Sequence, residues 1–236
     1  VMMSRRTCRQ MVESSCVFME NLLALKHIMP YIQLFQYIER VRQSQFNLQL
    51  DYVHFLHDPH ILAGGGYAML FLLPYDRAAA VRYAHLWAYG RNPRFYDYEN
   101  IGGDCTNFAS QCIYAGGGIM NFTPTFGWYY INASDKAPAW TGVEYLYRFL
   151  TRAEPYVGPY AQESALSRIQ PGDIVQLSFD GSGWQHSPVV VAANRPRGYA
   201  DILVAAHSYN ADNRPLSTYE FQRARFLHIE GVYRPE

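Results

Sequence analysis

The stretch that most constrains this chain is Gly102-Gly103-Asp104-Cys105-Thr106-Asn107-Phe108-Ala109-Ser110-Gln111-Cys112. Its two glycines free the backbone for a tight approach, and Asp104 is a residue type that caps helix N-termini. Cys105, Phe108, Ala109 and Cys112 then recur at i, i+3, i+4 and i+7, the spacing of one helical face. Asn107, Gln111 and Tyr114 fall on another face, and Gly116-Gly117-Gly118 stops the helix. Cys105 is thereby placed in the first turn of a partly buried helix, where backbone N–H groups without intrahelical partners favour an anion. A helix end contributes roughly 0.3–1 kcal/mol, up to about 2 when partly buried, and one pKa unit is about 1.36 kcal/mol. On its own it brings a thiol from about 8.5 to about 7–8, and an ionised Asp104 beside the sulfur opposes even that. A catalytic thiolate therefore needs a partner, and an imidazole that becomes imidazolium is the fitting one.

Composition removes several classes. The 236 residues carry 20 Lys and Arg against 20 Asp and Glu, a balance that supports neither a nucleic-acid nor an anionic-membrane partner. With 20 Tyr and 13 Phe the chain is too aromatic to be disordered. Cys8, Cys16, Cys105 and Cys112 are too few and too clustered for a disulfide scaffold. Cys105 and Cys112, two turns apart on one helix, are separated by about 10 Å, too far to bridge. Glu20, Lys26, Glu39 and Arg40 interrupt the N-terminal apolar runs before they reach the roughly 18 residues of a membrane span. No secretory signal peptide is read, so the cytoplasm is the default location.

Two domains of unequal character follow. Residues 1–72 form an N-terminal extension with helical spacing at Tyr31, Leu34, Phe35, Ile38 and Val41 beyond Pro30. Its His54, His57, His60 and Asp58 match no zinc spacing, and Pro59 interrupts them, so they read as a solvated cluster and no metal is expected. A second reading starts the native protein at Met69, because the codons of Gly64-Gly65-Gly66 can hold a purine-rich ribosome-binding sequence. Peptides from residues 1–68 in the native protein would exclude it.

Residues 73–236 are orderly. Asp76 caps a helix that runs to about Tyr89 before Gly90, and Thr141-Gly142-Val143-Glu144 has the form of a capping box. Between the cysteine helix and that box lies an aromatic loop, residues 119–139, read either as functional or as a plug over the core. After a short helical piece near Ser164–Ile169, strands are expected over 173–179, 186–192, 201–208 and 226–233, the first pair joined by the turn Asp180-Gly181-Ser182-Gly183. Helices followed by antiparallel strands make an α+β architecture. His85, mid-helix, and His228, inside the last strand, read as packing residues, and Cys112 as core.

A cysteine at a helix start, a histidine (His186) entering a strand after a hairpin, and a polar residue on the next strand form a candidate Cys–His–polar triad. At these residues the chain resembles the putative amidase domain family of Gram-positive bacteria, related to the NlpC/P60 and CHAP branches of the papain-like superfamily. The likeness rests on Asp104 to Cys112 with Tyr114-Ala115-Gly116-Gly117, on Tyr75 to Ala80, and on Pro171-Gly172-Asp173-Ile174-Val175-Gln176. It continues through His186-Ser187, Ala206-His207-Ser208 and Asp212-Asn213-Arg214-Pro215-Leu216, covering about residues 73–234.

The resemblance implies a papain-like fold, with the nucleophile helix packed on an antiparallel sheet. It also implies Cys105 as nucleophile, His186 as general base and His207 as third member, with Asn210 the alternative. Asp104 would order the nucleophile turn, the Cys105 backbone N–H would hold the oxyanion, and Trp128 and Trp184 are candidates for a substrate groove. The activity implied is hydrolysis of a peptide or amide bond, peptidoglycan stem peptides included, through a thioester and without metal or organic cofactor. Acyl or amide transfer on the same triad and a non-catalytic cell-wall or peptide-binding module are the alternatives. Relatives of this kind act on the cell wall, which makes an extracellular location the other expectation.

Overall fold

A computed structural model of the chain describes residues 69–235. The readings made on residues 1–68, the His54, His57 and His60 set among them, lie outside the described residues. Seven strands form one antiparallel sheet: β1 (Leu70–Leu73), β2 (Gly158–Ser164), β3 (Ile174–Ser178), β4 (Val189–Ala193), β5 (Ile202–Ala206), β6 (Ala211–Pro215) and β7 (Arg223–Pro235). The helices α1 (Arg77–Trp87), α2 (Cys105–Gly117), α3 (Pro138–Thr141) and α4 (Val143–Leu150) all precede β2. This is the α+β arrangement expected from sequence.

The spine of the sheet is β7. Residues 223–227 of it pair with β3, 232–235 with β1, and 226–233 with β2. Because the β2 register overlaps the other two, β2 runs along the opposite edge of β7. Beyond β3 the order continues through β4 and β5 to β6. Val175, Leu177, Val190, Ile202, Val204 and Leu216 pack together with no exposed surface. Burying each such side chain is worth about 1.5–3 kcal/mol.

Several local expectations are corrected. The first strand starts at Leu70, so a domain boundary at residue 73 cuts into the sheet. Strands β1, β2 and β6 were not expected at all. The capping box at Thr141–Glu144 does not form: α4 starts after Gly142 without a side-chain cap, and Pro138–Thr141 makes its own turn. Asp76 does cap α1, accepting from the Ala79 N–H at 2.8 Å. His85 is not a packing residue; it is half-exposed and lies 2.7 Å from Asp212.

Helix α2 is buried on every side from Cys105 to Ile113, not along one stripe. Its polar side chains are matched by partners from distant elements. Trp140 Nε1 donates to Asn107 Oδ1 at 2.8 Å, Trp128 Nε1 to Ser110 Oγ at 3.0 Å, and the Tyr83 hydroxyl to Gln111 Oε1 at 2.7 Å. The aromatic loop is thus a plug over the helix, with Trp128 fully buried and Tyr130 nearly so. At the other end of the domain Asp173 ties α1 to the sheet. It accepts from Arg77 Nη1 at 2.6 Å and from the Ile229 N–H at 2.9 Å, and lies 2.7 Å from His228 Nδ1.

Candidate active site

The turn that presents Cys105 is built on two glycines with φ of 91° and 99°, a region that disfavours side chains. A Cβ on Gly103 would meet Ser208 Oγ at 3.0 Å, and that same hydroxyl accepts from the Asp104 N–H at 2.8 Å. Ser208 and Tyr209 themselves carry φ of 57° and 74°. The end of β5 is therefore folded back tightly onto the turn that presents Cys105.

Asp104 holds the cap position of α2, but its side chain does not cap the helix. Its carboxylate turns backwards instead. Oδ1 accepts from the Tyr98 N–H at 3.0 Å and from Asn107 Nδ2 at 2.8 Å, while Oδ2 lies 2.5 Å from His207 Nδ1. Arg91 Nε stands 3.7 Å from the same oxygen. Asp104 therefore takes none of the first-turn N–H groups of α2, and such groups can receive an oxyanion.

His207 is committed on both nitrogens. Nδ1 faces Asp104, and Nε2 donates to the Trp87 carbonyl at 2.9 Å. Its ring stacks on Phe108 at 4.0 Å. Neither nitrogen is turned toward His186, and the ring instead holds the turn before Cys105 through Asp104. The alternative, Asn210, is exposed and accepts from Arg91 Nη2 at 3.0 Å. It does not reach His186 either.

His186 bridges Leu177 ahead of β4. Its ring lies between Phe179, at 6.0 Å, and Tyr219, at 5.6 Å. Nε2 is buried without a hydrogen-bond partner, as is the Tyr219 hydroxyl. Burial, with a smaller contribution from the positive charge of Arg214, lowers the imidazole to about 4. Cys105 Sγ sits 3.8 Å from the carbonyl of Gln185 and 3.7 Å from the Thr106 hydroxyl. Burial pushes this thiol up; bonds from Thr106 and the Ser187 N–H oppose it, and the Asp104 charge adds to it. Both shifts favour the uncharged forms, a thiol at Cys105 and an imidazole at His186.

Cys105 and His186 line one cavity of about 510 Å³ together with Phe179, Tyr209, Arg214 and Tyr219. A polar chain behind it fixes the two walls. Thr106 Oγ1 donates to Ser187 Oγ at 3.2 Å, and Gln176 Nε2 donates to the same oxygen at 3.2 Å. Arg225 then donates to Gln176 Oε1 and to Glu144 Oε2, each at 2.8 Å. Trp184 lies against Arg225 and Arg223 on this supporting side, and Trp128 is core, so neither tryptophan lines the cavity. Phe179, Tyr209, Arg214 and Tyr219 take the places expected of them. The sequence carried one signal for these, since Arg214 falls inside the Asp212–Leu216 match. Among the described residues no group of three or more His, Cys, Asp or Glu is placed to hold a metal ion, and no helix is long and apolar enough to cross a membrane.

An α+β domain in which a helix-start cysteine and a histidine open onto one cavity is the class these features define. Residues 74–229 match the family described as "Putative amidase domain", and the chain belongs to that family. It is 34% identical over 146 residues to the uncharacterized protein YhbB of Bacillus subtilis (strain 168). The aligned part is 59% of this chain and 43% of that relative, so the chain spans less than half of the relative's length. No solved structure matches the chain.

Proposed function

We propose that this domain is a papain-like cysteine hydrolase of amide bonds, with Cys105 as nucleophile and His186 as general base. One observation carries the reading. A cysteine at the uncapped start of a buried helix shares a cavity with a histidine whose Nε2 has no partner. A buried unpartnered nitrogen is costly, and a role in moving protons explains its retention.

With both groups neutral at rest, the thiol proton passes to His186 as the sulfur attacks the amide carbon. The C–S bond forms, and the carbonyl electrons move onto oxygen, where first-turn N–H groups of α2 receive them. Collapse breaks the C–N bond, and the imidazolium returns the proton to the departing amine. Water then attacks the thioester, giving one proton to His186 as its oxygen bonds to carbon. The second collapse expels the Cys105 sulfur, which is reprotonated as the acid leaves. The family's name supports amide hydrolysis in general; Cys105, His186 and the thioester are the finer proposal.

The test is acyl-enzyme trapping with an activated ester, read by peptide mass spectrometry beside Cys105→Ala and His186→Ala variants. An acyl group on Cys105, absent in the first variant and strongly slowed in the second, is the expected result. Acylation at Cys112 or nowhere overturns the reading.

A further inference from the structure

Arg214 is a cation in this cavity that pairs with no carboxylate among the described residues. Strand β6 supplies the residue, and the turn Leu216–Thr218 pins its side chain. Nε donates to Thr218 Oγ1 at 2.8 Å and Nη2 to the Thr218 carbonyl at 2.9 Å. The guanidinium lies 3.8 Å above the Tyr219 ring, which in turn neighbours His186. Nη1 has no hydrogen bond to a described residue. Glu220, the one carboxylate among the cavity's described lining residues, makes no ion pair with it.

Several other arginines of the domain are spent on partners. Arg77, Arg91, Arg168 and Arg225 are each paired with an Asp or Glu, and Arg152 spends itself on backbone carbonyls. Among the described residues only Arg214 combines a fixed orientation, an unspent Nη1 and a place in the cavity of Cys105 and His186. A planar guanidinium held this way is a preorganised receptor for a carboxylate.

We propose that Arg214 sets the specificity of the cavity, and that the amide substrate carries a free carboxylate near its scissile carbonyl which pairs with this guanidinium. The proposal rests on the reading of Cys105 as nucleophile. It also links binding to chemistry. Burial is the larger cause of the low basicity of His186 and the charge of Arg214 the smaller, so a bound carboxylate that neutralises this charge removes only the smaller part and makes the imidazole a somewhat better base. An uncharged amide does not.

The test compares iodoacetate with iodoacetamide, two alkylating reagents that differ by a carboxylate in place of a carboxamide, on the folded protein at pH about 8. The expected result is an iodoacetate-to-iodoacetamide rate ratio at Cys105 about tenfold above that of a free cysteine peptide, shrinking in about 1 M salt. Arg214→Gln should bring the ratio down to the peptide's value, and Arg214→Lys should keep part of it. A wild-type ratio equal to that of the peptide, with Cys105 still labelled by iodoacetamide, overturns the carboxylate proposal and leaves the nucleophile standing. Failure of both reagents at Cys105 overturns both. Should Arg214→Gln not fold, the wild-type ratio and its salt dependence decide.

Discussion

His186 and His207 are both buried near Cys105, at 4% and 1% exposure, yet they are bonded in opposite ways. Both His207 nitrogens are bonded, to Asp104 and to the Trp87 carbonyl, and its ring is stacked on Phe108. His186 Nε2 is bonded to nothing. A fully partnered imidazole fixes geometry, because moving its protons would break the bonds that hold the turn. An imidazole with an orphan nitrogen stabilises little and is available to carry a proton. His228, bonded to Asp173 far from Cys105 in the chain, belongs with His207.

The contrast can be broken in four ways. The largest effect is expected from His186→Ala: amide turnover falls by a factor of about 10²–10⁴, the usual worth of a general base, while the unfolding midpoint hardly moves. Steady-state rates and urea unfolding on the same preparation check both halves. A large loss of stability in that variant would place His186 with His207. Next, Asp104→Ala leaves His207, Asn107 and the Tyr98 N–H facing a void where an anion stood. The expected cost is about 3–5 kcal/mol of unfolding free energy.

The third effect is a pH dependence. Folded His186 takes a proton only near pH 4, whereas in the unfolded chain it does so near the ordinary value of about 6.5. Its folded-state pKa is depressed, so the unfolded chain binds more protons in between. This linkage costs the fold nothing above about pH 6.5, and it destabilises the fold progressively as the pH falls to about 4. The loss over that window is about 3 kcal/mol. Unfolding free energies across that window should slope in the wild type, and the part due to this residue should vanish in His186→Asn. The smallest effect is that of His228→Ala, which should cost about 1–3 kcal/mol of stability and leave turnover within about twofold. A larger change in turnover there would mean that Asp173 reaches the site after all.

Much of the frame was legible because it is local. The Cys105, Phe108, Ala109 and Cys112 stripe is buried as expected, and Gly118 ends the helix with a φ of 67° and an N–H bonded to the Tyr114 carbonyl. Strands β3, β4, β5 and β7 announce themselves by apolar residues, since each is buried against its neighbours. β2 and β6 do not, because Gly158–Ser164 and Ala211–Pro215 carry no apolar alternation and exist by pairing with β7 and β5. The same divide runs through the site. Cys105 and His186 are singled out by their immediate surroundings. The pairing of Asp104 with His207 spans 103 residues, and from sequence Asp104 was given a capping role that its side chain does not perform. Nothing near Tyr219 separates a cavity wall from a surface tyrosine.

The consecutive left-handed residues Ser208 and Tyr209 set stability and activity against each other. Such backbone costs on the order of 1–3 kcal/mol per residue, and glycine would relieve it. Tyr209→Gly is thus an obvious choice for anyone seeking a hardier protein. It would also strip the cavity of an aromatic rim that is 87% exposed. Thermal selection alone would therefore drift toward a sturdier protein with a blunter cavity rim, and position 209 is where that trade would first be seen.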